Sequence, residues 1–268
     1  MRISIVTISF NQGEFLEQTI RSVIDQDYED LEYIVVDAGS TDNSPKIIEK
    51  YASRIDQVIL EPDEGPADGL NKGFQHATGE VCGYLNADDL YLPGIFNKVA
   101  RNFENDSHLD VICGAGFLID RNNNRLYPLY SDPFNLRRFA YGILMILQQS
   151  TFFKQRALQE AGGFNRENFT CWDAELILDM ALQGKRFKAV NDYWSCFRFH
   201  PFSISGSGSR NDKYFQDLDR FFQRVYGRRK TPGDNLLAQI FRLEKFFLNP
   251  ITIRTFLGRL KYRYKVTP

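Results

Sequence analysis

Leu31-Glu32-Tyr33-Ile34-Val35-Val36-Asp37 is an apolar, β-branched run that stops at an acid; Ala38-Gly39-Ser40-Thr41-Asp42-Asn43 comes next as a loop, and Ser44-Pro45 opens a helix. A run with so little polar alternation suits a strand buried on both faces, as in a parallel sheet. Ser44 reads as the helix cap and Pro45 as its first residue, where an N–H would be unsatisfied anyway. The same unit recurs on either side. Upstream, Ile3 to Phe10 is strand-like, and Phe15, Leu16, Thr19, Ile20, Val23 and Ile24 return at helical spacing. Downstream come a short strand, Gln57 to Leu60, a polar loop from Glu61 to Pro66, and a helix with Ala67, Leu70, Phe74 and Ala77 on one side. That helix stops near Gly79, and Val81 to Leu85 is a fourth strand.

Such alternation builds right-handed βαβ units and a mostly parallel sheet, whose ligands bind beyond the carboxyl ends of the strands. Those ends carry Asn11, Asp37, Asp63 with Glu64, and Asn86-Ala87-Asp88-Asp89, so one rim collects the polar residues. The second half reads as α+β: Asp110 to Ile119 and Gln148 to Phe153 are strand-like, Asp120 to Arg125 is turn-rich, and a helix begins near Trp172. Phe202 to Arg210 is rich in Gly and Ser and cannot hold regular structure cheaply; the rest of the chain is aromatic, basic and helical in pattern.

With 268 residues, 43% hydrophobic and 14% aromatic, the chain can bury a sizeable core and falls outside the disordered class. A net charge of −1 gives no case for a nucleic-acid partner. The charge is unevenly spread: from Arg210 onward there are 14 Lys and Arg against 5 Asp and Glu, so an acidic body carries a basic tail. Cys82, Cys113, Cys171 and Cys196 show no C-x-x-C pair and suggest neither a disulfide framework nor a zinc site. The first residues look like a strand and lack the features of a signal peptide, and no apolar run reaches the roughly 18 residues a membrane span needs. The expectation is a cytoplasmic body, with a tail that lies against the inner face of a membrane or packs on the body or on a second subunit as a homodimer.

Adjacent carboxylates at a strand end repel each other unless a cation or solvent screens them, so Asp88 and Asp89 point to Mg²⁺ or Mn²⁺ bridged to a phosphate; the pair would also serve as a plain turn. Asp37 suits a base N–H or a ribose hydroxyl, or a turn before Gly39. Asp173 and Glu175 flank a helix start, where a carboxylate can accept a proton from a hydroxyl or simply answer the helix dipole. His200, in Arg198-Phe199-His200-Pro201, would close over a metal as an imidazole ligand, or be structural.

These residues resemble those of the family 2 glycosyltransferases with the GT-A fold, from Ile3 to about Ser209. Ile5-Val6-Thr7-Ile8-Ser9-Phe10-Asn11 is similar to their first strand, and Tyr33 to Asp42 to their second with its nucleotide-contacting Asp. Asp68-Gly69-Leu70-Asn71-Lys72-Gly73 resembles a subgroup motif in which Gly69 replaces the usual Ala, and Leu85-Asn86-Ala87-Asp88-Asp89 resembles the metal motif. The resemblance implies that Thr7, Ser9, Asn11, Asp37, Asp68, Asn71 and Asp88 serve the nucleotide. It implies Asp89, favoured over Asp88, and His200 for Mn²⁺ or Mg²⁺, and Asp173 or Glu175 as the base. Gln149 and Trp172 fall on the acceptor side, and Arg198 to Ser205 is similar to a flexible lid.

The implied architecture is a Rossmann-like nucleotide-binding half, residues 1–115, fused in one GT-A domain to a smaller acceptor-binding and catalytic half, residues 116–209, with a helical tail over 210–268. The implied activity is inverting transfer from a nucleotide-sugar, a UDP-hexose or UDP-N-acetylhexosamine, to a glycan or lipid-linked oligosaccharide in surface polysaccharide biosynthesis. Three rivals stand beside it. An oxidoreductase would need G-x-G-x-x-G where this chain has Asn11-Gln12-Gly13-Glu14, and a sugar nucleotidyltransferase would need a Gly-rich basic loop at the same place. A nucleotide-sugar sensor would keep the pocket without turnover.

Overall fold

The computed structural model describes residues 1–200 and 211–262. Residues 201–205 of the expected lid, the Gly/Ser-rich segment 202–210, and the tail residues Arg263 and Lys265 lie outside them.

The expected alternation is present: β1 (Ile3–Ser9), α1 (Leu16–Ile24), β2 (Leu31–Asp37), α2 (Ser44–Tyr51), β3 (Gln57–Leu60), α3 (Pro66–His76) and β4 (Val81–Asn86). The four strands are parallel, in the order β3-β2-β1-β4. Their side chains alternate between two cores. Ile5, Tyr33 and Val35 point into a cluster with Leu16, Ile20 and Phe96, whereas Val6, Ile34 and Val36 meet Leu70 and Phe74 on the other face. β1, β2 and β4 are therefore buried along almost their whole length and largely apolar. One local expectation is corrected: Ser44 is the first residue of α2 rather than its cap, and the Asp42 carboxylate accepts its N–H at 2.8 Å.

The second half continues the same sheet with β5 (Leu90–Tyr91), β6 (Val111–Ile119), β7 (Arg125–Leu129), β8 (Thr151–Lys154) and β9 (Phe187–Arg198). β8 joins β4 antiparallel, β6 follows it, and β9 runs parallel to β6 before meeting β5. Between the strands lie α4 (Ile95–Asn105), α5 (Leu136–Ala140), α6 (Gln155–Ala161) and α7 (Trp172–Leu182). The sequence pattern missed β5, β7 and β9, because β9 mixes Lys188, Asn191 and Asp192 with its apolar residues and is largely uncovered until Trp194.

The tail is helical, as expected: α8 (Asn211–Tyr226), α9 (Pro232–Leu248) and α10 (Thr252–Tyr262). Phe221 and Phe222 of α8 are fully buried, so its inner face belongs to the body. The four cysteines are buried and unbonded. No helix among the described residues is long and apolar enough to cross a membrane.

Trp194 is fully buried, edge-on to Phe152 at 5.8 Å. It occupies space left by Gly114, where an added Cβ would fall 2.4 Å from the indole. Gly114→Ala is therefore expected to lower unfolding stability by about 2 kcal/mol, read from the urea midpoint at constant slope.

Candidate functional site

The carboxyl ends of β1, β2 and β4 open on a cavity of about 1010 Å³ that also receives residues of the second half. Of the residues singled out from sequence, Ser9, Asp88, Gln149, Trp172 and Asp173 line it. Asp63 and Asn86, from the same polar rim, line it as well.

The acid pair divides its work. Asp89 is 1% exposed; its Oδ2 accepts from the Gln149 amide at 2.7 Å and its Oδ1 from the Arg198 N–H at 2.8 Å. Burial, with the Asp88 charge beside it, pushes the Asp89 carboxyl well above the usual carboxylate range, against the opposing hydrogen bonds. Asp88 faces the cavity, and its Oδ2 lies 2.9 Å from His200 Nε2. His200 is held by the Phe15 ring, 4.9 Å away. The Asp89 oxygens are thus engaged by protein donors, while Asp88 lines the cavity beside the buried His200. Among the described residues no cluster of three or more His, Cys, Asp or Glu could hold a metal alone.

Arg198, unflagged by the sequence reading, keeps this turn in place. It is fully buried, its Nε donates to the Asp88 carbonyl at 2.6 Å, and its Nη1 donates to Asn123 Oδ1 at 2.7 Å. Thr19 pins the same turn, its hydroxyl lying 2.7 Å from the Ala87 carbonyl and 2.8 Å from that of Asp89. The motif Arg-x-His was the available signal.

Asp173 lies in the first turn of α7, where burial raises its carboxyl while the N–H groups of Ala174 and Asp173 itself oppose the shift. Glu175 is 3% exposed and takes a bidentate ion pair from Arg220, with Nη2 at 2.8 Å from Oε2, and further bonds from Asn168 at 2.7 Å and Asn165 at 3.2 Å. These donors outweigh burial and hold its carboxyl below the usual range. The Glu175 oxygens are thus engaged in fastening α8 to α7.

The nucleotide-side residues separate similarly. Ser9 and Asn86 line the cavity, and Ser9 Oγ and Asn86 Oδ1 have no hydrogen-bond partner among the described residues. Thr7 instead turns into the core, where Tyr33 donates to its hydroxyl at 3.1 Å. Asp37 is 1% exposed and binds its own loop, through the Ser40 N–H and hydroxyl at 2.7 Å each. Asn11 ties that loop to β1 by accepting the Thr41 N–H at 2.8 Å. Asp68 meets Arg166 at 3.1 Å, and Asn71 clamps Phe164 N and O at 2.9 and 2.8 Å, fixing the Gly162-Gly163-Phe164 turn. Asp63 explains the Gly69 departure: a Cβ at position 69 would lie 2.6 Å from Asp63 Oδ2.

The family model described as Glycosyl transferase family 2 matches residues 4–162. An uncharacterized glycosyltransferase of Mycobacterium tuberculosis is 29% identical over 184 residues, 67% of this chain and 69% of the relative. One of Nostoc is 34% identical over 130 residues, 45% of this chain and 40% of the relative, so the matched stretch spans under half of that protein. Staphylococcus aureus TarS in complex with UDP-GlcNAc superposes with a TM-score of 0.68 at 19% identity, over 92% of this chain and 73% of that one. The mannosyltransferase PcManGT of Pyrobaculum calidifontis, in complex with GDP-Man and Mn²⁺, gives 0.63 at 20% identity, over 91% and 69%. At this identity both likenesses concern the fold.

Arg220 is 39% exposed and keeps Asp217 as a partner, so Glu175→Gln is expected to cost only about 1 kcal/mol of stability, read by denaturant melts. If the midpoint is unchanged, the fastening role of Glu175 is wrong.

Proposed function

This chain belongs to glycosyltransferase family 2, and from that premise we propose that it transfers a sugar, with inversion, from a UDP-hexose or UDP-N-acetylhexosamine to a hydroxyl of a glycan or lipid-linked acceptor in surface polysaccharide synthesis. The observation that carries this reading is that Asp88, backed by His200, and Asp173 face one cavity.

The acceptor hydroxyl approaches Asp173, which takes its proton as the oxygen attacks the anomeric carbon; the bond from that carbon to the diphosphate breaks as the new one forms. Burial keeps Asp173 basic enough for this, and the N–H groups at the start of α7 hold it in place. Trp172 and Gln149 present the acceptor side, while Ser9 Oγ and Asn86 Oδ1 offer partners to the nucleotide. One carboxylate oxygen and one imidazole nitrogen fit Mn²⁺ better than Mg²⁺, which prefers oxygen alone. Asp88 and His200 would hold the ion, whose positive charge would stabilise the departing diphosphate. Residues 1–115 serve the donor and 116–209 the acceptor, within one domain.

The exposed apolar side chains of α9 and α10, among them Leu236 (67%), Leu243 (63%) and Phe247 (85%), stand beside Arg242, Arg254 and Lys261 and suit an anionic bilayer surface. Sedimentation with phosphatidylglycerol vesicles is expected for the wild type and to be lost in Leu243→Glu/Phe247→Glu. A wild type that stays in the supernatant and elutes as a dimer would assign this face to a second subunit.

Calorimetry with UDP is expected to show Mn²⁺-dependent binding that Asp88→Ala abolishes; metal-independent binding in both proteins would remove the metal from the reading. Asp173→Asn is expected to lower kcat about 10³-fold while leaving UDP affinity intact. Because the raised group must be ionised to act as base, kcat/KM should fall on the acid side through an ionisation above the ordinary carboxylate range.

A further inference from the structure

The cavity holds three carboxylates, Asp63, Asp88 and Asp173, and among its described lining residues a single cation, Arg259. Arg259 comes from α10, in the part of the chain beyond the family match. Its place is fixed by how closely α10 lies on β7. Thr255 Oγ1 donates to the Pro128 carbonyl at 2.9 Å, Tyr262 stacks on Tyr127 at 6.2 Å, and a Cβ on Gly258 would lie 2.2 Å from Tyr127 Cβ. The Arg259 side chain bears on the Tyr127 hydroxyl, and no Asp or Glu among the described residues pairs with it. Around it the wall is apolar and aromatic, with Leu118, Leu129, Phe197 and Phe199.

We propose that Arg259 selects the acceptor, binding an anionic substituent, a carboxylate or a phosphate, on the sugar that receives the transferred residue. The Arg259 side chain is exposed at the cavity and has no carboxylate partner among the described residues, so its fork is open to a planar anion, which would gain two charge-assisted hydrogen bonds there. The neighbouring aromatic faces suit a pyranose ring that carries such a group. A neutral acceptor would leave the cation with only the Tyr127 hydroxyl and solvent. This rests on the transferase reading and deepens it.

The test uses the full chain saturated with UDP and Mn²⁺, titrated calorimetrically with three matched probes: methyl β-D-glucopyranoside, its 6-phosphate, and methyl β-D-glucopyranosiduronate. The wild type is expected to bind at least one charged glycoside about tenfold more tightly than the neutral one. Which charged probe binds better identifies the substituent. In Arg259→Gln the preference should vanish with UDP affinity unchanged, and Arg259→Lys should keep only part of it. Equal affinity for the three probes in the wild type, including binding of none, overturns the proposal. A marked loss of UDP affinity in Arg259→Gln also overturns it and reassigns the cation to the donor diphosphate. Failure of the wild type to bind UDP would instead sink the transferase reading itself.

Discussion

Asp88 and Asp89 stand side by side at the end of a buried strand, and two adjacent like charges there are tolerable only if each finds a different environment. The fold supplies this by turning Asp89 inward to the Gln149 amide and the Arg198 N–H, which leaves Asp88 outward beside His200. Arg198 is the keystone, since its backbone binds one acid, its side chain holds the carbonyl of the other, and its ring neighbour Phe15 also supports His200. The ends of β4 and β9 and the loop at Asn123 are thereby fixed relative to one another, and the cavity takes its shape from them.

The tail is bound into this arrangement rather than appended to it. Glu175 lies on the helix whose first turn holds Asp173, and Arg220 of α8 reaches back to it, so the position of Asp173 depends on residues beyond the family match. α10 then lies on β7 and brings Arg259 to the cavity. A sequence surplus of positive charge is divided in this way into structural ion pairs, one cavity cation and an exposed face.

The parallel half was legible because β1, β2 and β4 are buried on both sides and therefore largely apolar, a pattern that depends on local sequence alone. β9 was not, since it is covered on only part of its length and carries polar residues wherever it is open. The polar rim was also legible, but the direction of each side chain was not. Thr7 and Ser9 sit two apart on one strand, yet Thr7 bonds to Tyr33 and Ser9 lines the cavity. Likewise Asp173 and Glu175 are two residues apart on a helix, so they face different sides, and only the packing of α8 reveals which one is already engaged.

The partners of the acid pair are far from it along the chain: His200 meets Asp88 across 112 residues and Arg198 meets Asp89 across 109. Loop closure over such separations is slow and entropically costly, so these contacts belong late in folding. During synthesis, a nascent chain that has emerged only through β5 carries both acids without the arginine that binds them. The pocket comes into being only once β9 docks, so the catalytic rim and the completed sheet are acquired in the same event.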